Sequence, residues 1–245
     1  MSKDLLTVDT SEISAAAAGI AVVTSISALV FLASLHILSP EFDPAWRMVS
    51  EYALGSYSWV LSLMFTAWAI SSWALAYGIR SQVKTIGGKI GLVFLVLAGV
   101  GEAMASVFDV RHSLHGVAAL IGIPSLPIAA MLISLSLRRN QPWSAETKAL
   151  LVTANMTWIS YVLMTVTAIV MFTGFGRAGV DFNSGPAAEQ ALPPGVIALA
   201  GYANRFLIIV YCVWVMFVGW QANRLRATVE MDRDRHVEKE ESVGA

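Results

Sequence analysis

Six apolar runs decide what this chain can become. They cover Ile13–Leu38, Tyr57–Ile79, Ile90–Phe108, Leu114–Leu137, Ala149–Phe175 and Val196–Trp220, and each carries at most a stray charge. About 20 such residues, wound as a helix, cross a hydrocarbon core of about 30 Å. Lipid offers no partner to a backbone N–H or C=O, so spans of this kind satisfy their own hydrogen bonds as helices. A soluble domain of 245 residues would carry about twice the 13% of charged residues found here, and a mean hydropathy of +0.66 points the same way. The expected fold is all-α: a polytopic membrane protein built as a bundle of six transmembrane helices over residues 1–220, followed by a charged cytoplasmic tail over 221–245. The first run is longer than the apolar part of a signal peptide, and its head (Lys3, Asp4, Asp9, Glu12) is acidic on balance, so it is expected to stay attached as the first span.

Lys and Arg gather in short cytoplasmic loops. Arg80, Lys84 and Lys89 fill the second connection without an acid, Arg138, Arg139 and Lys148 dominate the fourth, and Arg224 and Arg226 follow the last span. Both termini are therefore expected in the cytoplasm of a multi-pass cell-membrane protein. Trp59 would mark the outer interface, and Trp143 and Trp220 the inner one. The tail from Arg226 to Glu241, with His236, reads as a solvated helix or a disordered end. A net charge of −1 excludes nucleic acid as a partner and leaves membrane lipids. The single cysteine, Cys212, lies inside an apolar run, so no disulfide forms within the chain.

This topology collects the unusual residues on the outer side. His36 ends the first span; Glu41, Asp43, Arg47 and Glu51 occupy the first outer loop; Asp109-Val-Arg-His-Ser-Leu-His-Gly116 forms the second; and Arg177, Asp181 and Glu189 belong to the third, a Gly- and Pro-rich segment over 176–195 expected to be irregular. Asp43 before Pro44, with Gly55 beyond, predicts a short helix over 44–54 whose apolar face is Trp46, Val49, Tyr52 and Ala53, lying on the membrane as a lid. Asp109 and Ser113 are expected to cap the helices on either side of the second turn. Glu102, Ser106 and Asp109 are spaced to share one helical face, with Glu102 about 10 Å inside the bilayer. A carboxyl at that depth usually faces protein or a water-filled cavity. Arg205, near the outer boundary of the last span, is expected to be held by Glu102, Asp109 or both, if the third and sixth helices are neighbours.

Ser50-Glu51-Tyr52-Ala-Leu-Gly55, the stretch Gly101 to Asp109 with His112 and His115 beyond it, and Gly201-Tyr-Ala-Asn-Arg205 ahead of Trp214 resemble the "domain of unknown function 998" family of prokaryotic membrane proteins. That resemblance implies six helices and no established activity. A weaker similarity, to the CREST superfamily of metal-dependent membrane hydrolases, implies Ser50, Asp109, His112 and His115 as catalytic candidates, although the His-x-x-x-His expected on a late helix is missing.

From the residues themselves, His36, Asp109, His112 and His115 offer imidazole and carboxylate donors of the kind that hold Zn²⁺. Three classes of function follow. The first is an outward-facing polar pocket that binds a lipid head group or a small polar ligand through Glu51, Glu102, Asp109 and Arg205. The second is a metal-dependent hydrolase in which a zinc-bound water attacks a lipid ester or amide. The third is a transporter coupled to protons through Glu102 and Asp109, for which matched, Gly- or Pro-broken spans are wanting.

Overall fold

The computed structural model describes residues 13–180 and 191–243. Lys3, Asp4, Asp9, Glu12, Asp181 and Glu189, and the side chain of His236, lie outside the described residues. The helices are α1 (Ala15–Leu38), α2 (Ser58–Ile79), α3 (Ile86–Val107), α4 (Leu114–Leu137), α5 (Thr147–Arg177) and α6 (Ala200–Val243), with single 3-10 segments at Val49–Leu54 and Gln141–Glu146. All six are long and apolar enough to span a membrane, as the runs in the sequence predict.

Two boundaries move for local reasons. Thr85 caps α3 by accepting the amide of Gly88 at 3.0 Å, so the helix begins at Ile86, ahead of Lys89. At the other end of the chain Gly195 turns the backbone at φ +81 and Val196 closes a turn on the carbonyl of Pro193, which delays α6 until Ala200. From there α6 runs unbroken through Val243, well past the apolar run.

Each helix packs on its neighbour in sequence, and α6 returns to α1, so the spans close into a ring. Within it α2 also packs on α6, and these two are the most buried spans. The outer faces of α1, α3 and α5 present Val23, Val93 and Ile169, each about 60% exposed, a surface that lipid suits and water does not. The start of α1 meets the end of α2 through Ser14 N to Gly78 O at 3.3 Å, and Arg226 of α6 donates to the carbonyl of Ile13 at 2.6 Å. Both ends of the bundle domain therefore share one face, and the loop of 39–57, the turn of 108–113 and the segment of 191–199 share the other.

α4 contains Pro124 and Pro127. Pro127 has no N–H to give to the carbonyl of Ile123, and the hydroxyl of Tyr211 on α6 donates to that oxygen at 2.8 Å instead. Trp59, at the start of α2, and Trp220, where the apolar run of α6 ends, are both exposed, as interfacial rings require. Trp143 is not: its 3-10 turn tucks the indole fully into the core, which corrects its expected interfacial place.

Candidate functional site

The first outer loop is docked into the bundle. Asp43 accepts the amide of Ala45 at 2.9 Å and makes a single turn, and only Val49–Leu54 is helical, so the short helix predicted over 44–54 is half its expected length. Its predicted apolar face, Trp46, Val49, Tyr52 and Ala53, is buried, so the loop plugs the end of the bundle and does not lie flat upon it. Glu51 holds the plug together, bridging Arg47 at 2.8 Å and accepting the amide of Met48 at 3.1 Å.

Three residues at the start of α6 bind this plug. Gly201 lets the loop backbone come so near that an added Cβ would lie 2.5 Å from the carbonyl oxygen of Pro44. Asn204 accepts the amide of Val49 at 2.9 Å. Arg205 spends its fork on neutral acceptors: Nε donates to His36 Nε2 at 2.7 Å, Nη1 to the carbonyls of Arg47 at 2.7 Å and Gly201 at 3.0 Å, and Nη2 to the Tyr52 hydroxyl at 3.0 Å. The ring of His36 also meets the carbonyl of Leu32 through Nδ1 at 2.7 Å, so the proton sits on Nδ1 and Nε2 is free to accept.

The expected pairing of Arg205 with Glu102 or Asp109 is not formed. α2 stands between α3 and α6, and Glu102 instead accepts a hydrogen bond from Ser72 of α2 at 2.9 Å. Nor do Glu102, Ser106 and Asp109 share one helical face, because α3 stops at Val107 and Phe108 turns the chain outward. Asp109 accepts the Nε and Nη2 of Arg111 and its backbone amide. The Arg111 side chain holds the Asp109 carboxyl below its usual range. The cap on α4 comes from His112, whose Nδ1 accepts the amide of Leu114 at 3.1 Å, and not from Ser113.

The proposed zinc donors are dispersed. His36 is bound to Arg205, Asp109 to Arg111 and His112 to its own helix, while His115 Nδ1 meets the carbonyl of Phe108 at 2.8 Å. Among the described residues no three His, Cys, Asp or Glu side chains gather as an ion would need.

What the bundle does contain is a cavity of about 210 Å³, walled by the plug and by α2 to α6. Phe65, Trp68, Ala118, Ile123, Leu207 and Ile208 make its surface mainly apolar; Ser50, Glu102, His115, Asn204 and Tyr211 supply its polar atoms. A second hollow of about 130 Å³ lies next to it, lined by Ser58, Ser62, Ser106, Asp109 and Arg111. Ser50, Ala105 and His115 line both and form the boundary. Thus the structure brings Ser50, Glu102 and His115 to one cavity, puts Asp109 in the hollow beside it, leaves His112 exposed, and uses His36, Glu51 and Arg205 to hold the wall. No role in the cavity is legible from sequence alone for Phe65, Trp68, Ser72, Asn204 and Tyr211. Ser72 had no visible signal, since a serine in a membrane helix commonly bonds its own backbone, as Ser71 does to Trp68 at 2.7 Å.

Six apolar spanning helices around a polar-tipped cavity define an integral, multi-pass membrane protein. Residues 22–221 match a family profile described as "Protein of unknown function (DUF998)", and the chain belongs to that family. No curated protein and no solved structure matches it.

Proposed function

We propose that this protein binds a small amphipathic molecule in the cavity between α2, α3, α4 and α6, with its polar end among Ser50, Glu102 and His115. The observation that carries this reading is the cavity itself: a preformed apolar space with a few convergent polar groups is the usual form of a small-molecule site. Its volume of about 210 Å³ falls below the roughly 300–1,000 Å³ of ordinary drug-sized sites, which suits one short chain and not a whole phospholipid. The hollow beside the cavity, with Asp109 and Arg111, would be the route from the outer side of the cell membrane.

The ligand role first assigned to Glu51 and Arg205 passes to Ser50, Glu102, His115 and Asn204. Metal-dependent hydrolysis is less well served, since its donors are committed elsewhere, and nothing in the helix breaks favours a transporter.

Gentle extraction followed by mass spectrometry of the bound small molecules tests the reading. The unmodified protein should retain a molecule that Ala105→Phe, which fills the boundary between the two hollows, excludes without loss of folding. An identical small-molecule content in the two proteins would overturn it.

A further inference from the structure

We infer that the ligand of this cavity carries a cationic nitrogen, held by the carboxylate of Glu102 against the aromatic side chains of Phe65, Trp68 and Tyr211. This rests on the reading of the cavity as a binding site and adds the charge of what fills it.

Glu102 is 5% exposed and lines the cavity about 7.5 Å below the end of its helix. It receives one hydrogen bond, from Ser72. Among the described residues no Lys, Arg or His forms an ion pair with it: the bridges that exist join Arg47 to Glu51, Arg111 to Asp109 and Arg224 to Glu146. Arg205, the one basic group on the facing helix at a comparable level, is fully committed to the plug. His115 lines the same cavity, with its Nδ1 occupied by the carbonyl of Phe108. A carboxylate so placed is costly in a membrane protein unless it meets a cation, and among the described residues none supplies that charge.

The aromatic wall selects the kind of partner. Trp68 stands edge-on to Tyr211, with ring centroids 6.2 Å apart, and stacks on Phe65, also at 6.2 Å. Ring faces attract cations, and aromatic side chains grouped with a carboxylate are a general solution for substituted ammonium groups. An anion would meet an ionised Glu102 as a like charge, and a neutral ligand would leave it to be held as the protonated acid; only a cation lets it serve there as a carboxylate. A short alkyl chain bearing an ammonium or quaternary ammonium group satisfies the carboxylate, the rings and the apolar remainder of the cavity together.

The test uses three probes of equal chain length, hexyltrimethylammonium, hexanol and hexanoate, titrated calorimetrically into the full-length protein in a neutral detergent. Saturable binding of hexyltrimethylammonium is expected, weakened about tenfold by Glu102→Gln, with hexanol affinity changed far less than that of the cation. Phe65→Leu, which leaves Glu102 in place, should likewise weaken the cation more than it weakens hexanol, so the outcome does not depend on the fold of one variant. Equal affinity for hexanol and the cation, or a preference for hexanoate, would overturn the cationic ligand and leave the cavity reading standing. No saturable binding of any probe would overturn both.

Discussion

Arg205 is buried, and among the described residues no acid pairs with it. Charge rarity singled out both Arg205 and Glu102, and cost arguments paired them, yet those arguments say only that each needs compensation. The compensation for Arg205 is dipolar: two backbone carbonyls at 3.0 Å or less, an imidazole and a phenol. Such acceptors leave no mark in the sequence, because every residue has a carbonyl and the relevant ones become close only when the loop docks. Arg205→Lys should therefore be poorly tolerated, since an ammonium cannot span acceptors on four sides. Arg205→Gln should lower thermal stability in detergent, and adding Glu102→Gln should restore none of it. His36→Leu in place of the Glu102 change should couple strongly to Arg205→Gln in a double-mutant cycle, by about 0.5–3 kcal/mol, because those two side chains touch. Thermal melts of the four variants decide it; rescue by Glu102→Gln would mean that the two charges communicate after all.

At the scale of elements, the helices were legible because apolar run length dictates them, and their ends were less so because caps and turns at Thr85 and Gly195 set them. The motif Gly201-Tyr-Ala-Asn-Arg205 was visible as unusual, but its meaning, a clasp for the first outer loop, needed the contact between segments about 155 residues apart. α4 gives a sharper instance of the same limit. Its two prolines are obvious in the sequence, and the carbonyl of Ile123 freed by Pro127 can be named from spacing alone; that Tyr211 of α6 answers it cannot. Tyr211→Phe should leave that oxygen unsatisfied inside the bundle and cost about 1–3 kcal/mol. Pro127→Ala restores an N–H four residues after Ile123 and should return part of the loss in the double variant. Chemical or thermal unfolding of the set measures this, and full additivity of the two substitutions would mean that the hydroxyl serves another purpose.

For the whole molecule, the pattern of contacts says which groups share a face but not which way that face looks, and orientation rests on the distribution of basic residues. Lys84 lies with Arg138, Arg139 and Arg224 at one end of the bundle, while Asp109, His112 and the docked loop lie at the other. By the positive-inside rule the basic end is expected in the cytoplasm, with the cavity mouth facing out. The chain is well suited to a direct check, because its single cysteine, Cys212, is fully buried in α6 and should be silent to an impermeant thiol reagent. Ser113 and Lys84 are both exposed at loops on opposite faces, and each can carry a cysteine without disturbing a side-chain bond recorded for it. In intact cells Ser113→Cys should label and Lys84→Cys should not; after the membrane is opened, both should. If Lys84→Cys labels in intact cells and Ser113→Cys is protected, the bundle is inverted, the hollow beside Asp109 opens to the cytoplasm, and any ligand reaches Glu102 from the inside.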